Sequence, residues 1–162
     1  MMMNSQATAV VTAAKKHLGY KEGTNNDTIF GTWAGMNHQP WCAMFISYVF
    51  NEAGCLDLIK QNAKGFASCI QMDMWAHKNE MTASISEITA GDILLFDFAK
   101  AGHAEHTEIA LGPVDPHTDL IPTIGGNTAD SHAGNQANGD GVYLKFRAPS
   151  TVRTVVKPKW SK

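Results

Sequence analysis

Cysteine is scarce in this sequence. Cys42, Cys55 and Cys69 are the only three in 162 residues, and an odd, small number does not make a disulfide framework. A chain of this length buries a core without covalent staples. The three are therefore expected as free thiols in a reducing compartment. Apolar runs are short as well, and none approaches the ~20 residues that a membrane span needs. Excess charge is missing: the formal net charge is −2, so nothing suggests binding to nucleic acid or an anionic membrane. No repeat and no linker rich in Pro, Gly or Ser divides the chain, so residues 1–162 are expected to form a single domain. The opening residues, Met1-Met2-Met3-Asn4-Ser5-Gln6, lack the basic start and apolar stretch of a signal peptide. The protein is thus expected to work in the cytoplasm, or to cross the membrane by something other than its own signal.

Apolar residues make up 44% and charged residues 17%, the composition of an ordinary globular protein. The first half reads helical. Ala7, Val10, Val11, Ala14 and Leu18 recur at helical spacing, and Gly19 follows as a stop. The polar stretch from Tyr20 to Gln39 lacks periodicity and reads as a structured loop. Pro40 opens a second helix whose apolar face is Phe45, Ile46, Val49, Phe50 and Ala53, closed by Gly54. A third covers roughly Ser68 to Lys78. The second half reads as strands: Asp92–Phe98, Thr107–Leu111, Leu120–Ile124, Val142–Arg147 and Thr151–Val156. Helices first and an antiparallel sheet second define an α+β fold. The Gly125–Gly141 segment is a long loop, and loops of that length are usually functional or mobile.

Cys42 falls at the start of the second helix. Helix N-termini carry partial positive charge and unpaired N–H groups. Both favour the thiolate, which is the nucleophilic form, and the N–H groups suit a developing oxyanion. A free cysteine is also commonly a small buried hydrophobe, and position alone leaves both readings open. Cys55 and Cys69 lack this placement and read as structural.

A thiol nucleophile needs a base. Of seven histidines, His106 stands at the mouth of a strand. There Ile109 and Leu111 share the core face, while His106, Glu108 and Ala110 share the other. On that face the imidazole would meet a helix N-terminus packed across it. His103 competes but sits in a likely turn. Asn127, after Gly125-Gly126, could accept the second ring N–H, as in Cys-His-Asn enzymes, although Gly-Gly-Asn is also a plain turn sequence. Glu108 is an alternative orienter if the strand bends. Two metal readings stand beside this one. His103 and His106, with Cys42 or an acid, could ligate zinc, but the usual paired spacings are absent. Asn135, Asn138 and Asp140 could ligate Ca²⁺, but no EF-hand pattern fits. No metal or other cofactor is expected.

Taken in order, these segments resemble the CHAP family of peptidoglycan hydrolases, within the papain-like cell-wall amidases and endopeptidases. The resemblance runs through Gly19-Tyr20-Lys21-Glu22-Gly23, Asn25-Asn26, Pro40-Trp41-Cys42-Ala43-Met44-Phe45, Ala90-Gly91-Asp92-Ile93, His106-Thr107-Glu108-Ile109-Ala110-Leu111-Gly112 and Thr123-Ile124-Gly125-Gly126-Asn127-Thr128. Cys42 and His106 stand 64 positions apart, and Asn127 follows 21 later. One departure is clear: many relatives carry Glu two residues before the Asn, where this chain has Gly125.

The resemblance implies a papain-like CHAP fold and cleavage of peptidoglycan. The target would be the N-acetylmuramoyl-L-alanine amide or a peptide bond of the stem or cross-bridge. Cys42, His106 and Asn127 would be the catalytic residues. Proximity to Cys42 in sequence, rather than the resemblance, suggests Trp41 and the Tyr20–Gln39 loop, with Asn26, as the lining of the substrate groove. The resemblance further implies a monomeric phage endolysin without a separate wall-binding module, made in the host cytoplasm and released through a holin-made hole. Three rivals remain: a secreted antibacterial toxin of the same family, a non-enzymatic wall-binding module, and a metal-dependent hydrolase.

Overall fold

A computed structural model describes residues 4–131 and 134–161. Helix α1 (Ser5–Lys15) starts at Asn4, whose side-chain oxygen accepts from the backbone N–H of Gln6 and Ala7 at 2.8 and 3.3 Å. That satisfies two donors otherwise orphaned at a helix start. Its buried face is Ala7, Val10, Val11, Ala13 and Ala14. Leu18, expected on that face, lies beyond the helix end and is exposed.

The stretch expected as a loop contains a helix, α2 (Ile29–Ala34). Its signals are local. The Thr28 hydroxyl accepts from Gly31 N–H at 2.8 Å, and Gly35 ends the helix in the left-handed conformation, as a C-terminal glycine does. Six residues are too few to display a periodic face. Helix α3 (Cys42–Glu52) begins two residues after Pro40, and α4 (Cys69–Lys78) is capped by Ser68.

The strands are β1 (Thr82–Ala83), β2 (Ile93–Phe96), β3 (His106–Ala110), β4 (Ile121–Thr128), β5 (Gly141–Arg147) and β6 (Val152–Val156). They form one antiparallel sheet in the order β1-β6-β2-β3-β4-β5. This is the α+β organisation expected from the sequence, with the two-residue β1 added at one edge. β4 runs on to Thr128, so the long loop starts later than expected. Positions 132 and 133 of that loop lie outside the described residues.

Both faces of the sheet are covered. On one, Ile93, Leu95, Ile109, Ile124 and Val142 pack against Phe45, Ile46 and Val49 of α3. On the other, Leu94, Phe96, Ala110, Ile121 and Val155 make a smaller cluster. All five residues of β3 are buried. The helix therefore crosses the face of Ile109 and Ile124, not that of His106, Glu108 and Ala110. No helix among the described residues is long and apolar enough to cross a membrane.

The Thr28 cap lends itself to a direct check. Thr28→Ala should lower unfolding free energy by about 1 kcal/mol, read by denaturant titration, because Gly31 N–H loses its acceptor.

Candidate active site

The site forms where α3 meets the first residues of β3. Cys42 is the first residue of α3, and no side chain caps the helix there. The N–H groups of its first turn are left to other acceptors. β3 pairs with β4 only at Ile109–Ile124 and Ala110–Thr123. Toward His106 the two strands are unpaired. At this end the imidazole and the Cys42 thiol are near enough to shift each other's titration, the thiol downward and the imidazole upward.

The second ring nitrogen is held by Glu108. His106 Nε2 lies 2.9 Å from Glu108 Oε2, with both side chains fully buried. Nδ1 has no hydrogen-bond partner among the described residues and is the nitrogen left for the thiol. Glu108 is itself fixed. Thr123 Oγ1 donates to its Oε1 at 2.7 Å, Arg147 Nε donates to Oε1 at 2.8 Å, and Arg147 Nη2 donates to Oε2 at 2.5 Å. Arg147 also donates to Gln136 Oε1 and Thr128 Oγ1, at 2.8 and 3.1 Å. Its guanidinium lies over the Phe98 ring at 5.0 Å. Every oxygen of the carboxylate thus has charged or hydroxyl donors, the condition under which a buried charge is tolerated.

Gly125 explains how the carboxylate fits. A Cβ at position 125 would stand 2.5 Å from Glu108 Cγ and 2.6 Å from its Cδ. The glycine that departs from the CHAP pattern vacates the space that the β3 carboxylate fills. The acid is present in the site, carried by the neighbouring strand.

Burial alone would push the His106 imidazole down, but hydrogen bonds to Cys42 and Glu108 outweigh it and raise it to about 9. Burial would likewise raise Glu108, but Arg147 and His106 hold it at about 2. The Cys42 thiol is held well below its ordinary value, first by a hydrogen bond from Cys69 and then by His106. These pulls favour a thiolate–imidazolium pair backed by an ionised carboxylate.

The other expected residues are distributed differently. Asn127 does not orient the imidazole. Its Nδ2 donates to Ala137 O and Asn138 Oδ1, both at 3.4 Å, and its backbone oxygen accepts from Gly139 N–H at 2.8 Å. It anchors the following loop, from a left-handed backbone with φ 53°. Trp41 does not line a groove: it is fully buried, stacked on Phe30 at 5.4 Å, with its indole N–H on Glu22 at 3.3 Å. Asn26 does line a groove, of about 720 Å³, together with Lys21, Glu22, Asp130, Asp140 and Tyr143. His103 is on an exposed turn. Among the described residues, no three His, Cys, Asp or Glu side chains are arranged to hold a metal. In the loop read for Ca²⁺, Asn135 Oδ1 accepts from two backbone N–H groups, Asn138 Oδ1 from Asn127, and Asp140 Oδ1 from the Tyr143 hydroxyl. The residue that sequence reasoning passed over is Cys69, whose sulfur lies 3.8 Å from that of Cys42. Its only sequence signal was a cysteine directly after Ser68, a helix-capping residue.

A cysteine at a helix start, facing a histidine on an antiparallel sheet that packs behind the helix, is the arrangement of the papain-like fold. One solved structure with this fold is described as similar to lipoprotein, NLP/P60 family, from Staphylococcus aureus subsp. aureus Mu50. It aligns with a TM-score of 0.50 at 15% identity, over 97% of this chain and 42% of that one. This chain therefore spans less than half the length of that protein, and the likeness shows the fold. No family model and no curated protein matches the sequence.

Two substitutions test the geometry without any substrate. Glu108→Gln should move the His106 titration from about 9 toward the ordinary histidine range, followed by NMR of the ring protons. The sign follows from the carboxylate: it stabilises the imidazolium, so its neutralisation releases the proton at lower pH. The same change should lower stability on the order of 3 kcal/mol by leaving Arg147 without its charge partner. Gly125→Ala should cost about 1–3 kcal/mol in thermal or denaturant unfolding, because the carboxylate is pinned and cannot yield to the new methyl group.

Proposed function

We propose that this protein is a peptidoglycan hydrolase that cleaves an amide bond by thiol chemistry, with Cys42 as nucleophile, His106 as acid and base, and Glu108 as the group that orients the imidazole. The observation that carries this reading is the buried chain from Cys42 through His106 and Glu108 to Arg147. Nothing in packing alone calls for a thiolate held next to an imidazolium in a buried site. Perturbed groups of this kind cluster at functional sites.

The wall as substrate is supported by the segments that resemble CHAP hydrolases, and the papain-like fold, shared with the protein described as of the NLP/P60 family, suits the same thiol chemistry. The Cys42 thiolate attacks the carbonyl carbon, and the free N–H groups at the start of α3 receive the oxyanion. His106 then protonates the leaving amine. Water, deprotonated by the same imidazole, hydrolyses the thioester. Cys42 is only 6% exposed and His106 fully buried, so neighbouring side chains yield when a substrate enters. The groove bearing Asn26, with Lys21 and the carboxylates of Glu22, Asp130 and Asp140, suits a short zwitterionic peptide. Glu22 links it to Trp41, the residue before the nucleophile. Release from a host cell as a phage endolysin is the biological setting we infer from the CHAP resemblance.

Cys42→Ala and His106→Ala should each lower clearing of susceptible cell walls by at least about 10³-fold while retaining the fold. Asn127→Ala should lose less, since that residue holds a loop rather than the imidazole. Iodoacetamide should abolish clearing and EDTA should not. Full activity of Cys42→Ala would overturn the proposal. Mass spectrometry of the digest identifies the bond: a new muramic-acid end marks an amidase, and a new peptide amine marks an endopeptidase.

A further inference from the structure

Two helices begin at this site, and each begins with a cysteine. Cys42 is the first residue of α3 and Cys69 the first residue of α4. Their sulfurs are 3.8 Å apart. Hydrolysis uses one thiol as nucleophile and one imidazole as acid and base, and it asks no covalent step of the second thiol. Cys69 is also the more accessible of the two, partly exposed where Cys42 is buried.

We propose that Cys69 is a resolving thiol for Cys42, and that the pair closes into a disulfide that reversibly silences the site. The inference rests on Cys42 being a reactive thiol, which the proposed function shares, and not on the identity of the substrate. The oxidant is a hydroperoxide. The Cys42 thiolate attacks the O–O bond; an S–O bond forms, the O–O bond breaks, and the departing oxygen takes a proton from His106. The product is a sulfenic acid at Cys42 and an alcohol, or water from hydrogen peroxide. Cys69 then loses its proton and its sulfur attacks the Cys42 sulfur. The S–S bond forms, the S–O bond breaks, and hydroxide leaves to take up that proton as water. Two thiols together lose two electrons and the peroxide gains them.

The geometry asks little of the fold. The sulfurs must close from 3.8 Å to about 2.05 Å. Both cysteines stand in a first helical turn, whose N–H groups carry no intrahelical hydrogen bond, so each residue is tied to its helix through its carbonyl alone. The order of events is also set locally. The hydrogen bond to Cys42 is the main cause that holds Cys69 protonated, well above the ordinary thiol value. Cys69 therefore stays a thiol while Cys42 is a thiolate. Once Cys42 is a sulfenic acid that constraint is gone. Reduction has a preferred direction too. An incoming thiolate reaches the more exposed sulfur, Cys69, and expels Cys42, whose thiolate is the better leaving group. Cys55 is buried elsewhere, its sulfur nearest the backbone oxygens of Ala53 and Gln6, and serves as an internal control.

The test is peptide mapping of the reduced chain after a few equivalents of hydrogen peroxide, under non-reducing conditions. The expected product is a Cys42–Cys69 linked peptide lacking two hydrogens, with Cys55 still alkylatable after denaturation and both thiols recovered by dithiothreitol. In Cys69→Ser, Cys42 should instead advance to sulfinic acid that dithiothreitol does not reverse. Sulfinic acid at Cys42 of the unaltered chain, with Cys69 still free to alkylate, would overturn the proposal; so would a disulfide to Cys55. The map needs no substrate. A disulfide formed by a protein whose reduced form fails to cleave cell walls would defeat the hydrolase reading alone, and cleavage by the reduced form with no disulfide after peroxide would defeat this one alone.

Discussion

The Glu108 carboxylate is the constraint on which the site depends. It is a full charge with no exposure to water, and such a charge is tolerated only when its oxygens are occupied by strong donors. Three strands supply them: His106 from β3 itself, Thr123 from β4 and Arg147 from β5. Because each donor is fixed by a different strand, the carboxylate is held in one position. The imidazole that bonds to it inherits that position. The aim of Nδ1 at the thiol follows from the sheet rather than from the loop that carries Asn127.

Around this carboxylate, charge is arranged in alternation. Arg147 is positive and Glu108 negative, and the same contacts favour a protonated His106 and an ionised Cys42. Each member stabilises the charge of the next, so burial does not neutralise them as it would neutralise any one alone. The α3 N-terminus adds its own positive end beside the thiolate. The site is built as a chain of alternating charge with Cys42 at its end. A second thiol from α4 completes its surroundings.

Much of the fold was legible from pattern. The apolar spacing of α1 and α3 and the runs in β2 to β6 rest on periods that recur over several residues, and these elements were found. Helix α2 was missed because six residues have no period to display; its caps, Thr28 and Gly35, were the available signal. The helix-bearing face of the sheet was misjudged because alternation along β3 distinguishes two faces but does not say which is covered, and both are. Trp41 was placed at a groove because it neighbours Cys42 in sequence. Its ring instead turns into the core against Phe30.

The order of Cys42, His106 and their surrounding segments is a property of the chain, and local chemistry sufficed to select them: a thiol at a helix start and an imidazole at a strand start. The partner of the imidazole could not be chosen that way. Residues on one face of a strand, two positions apart, ordinarily point side by side. Whether they meet depends on what fills the space between neighbouring strands. Only the packed sheet shows that Gly125 leaves that space empty for Glu108 and that Arg147, from 39 positions further along, neutralises it. The contact between Cys42 and Cys69 belongs to the same class, since two helix starts 27 residues apart meet only when both have packed against the sheet.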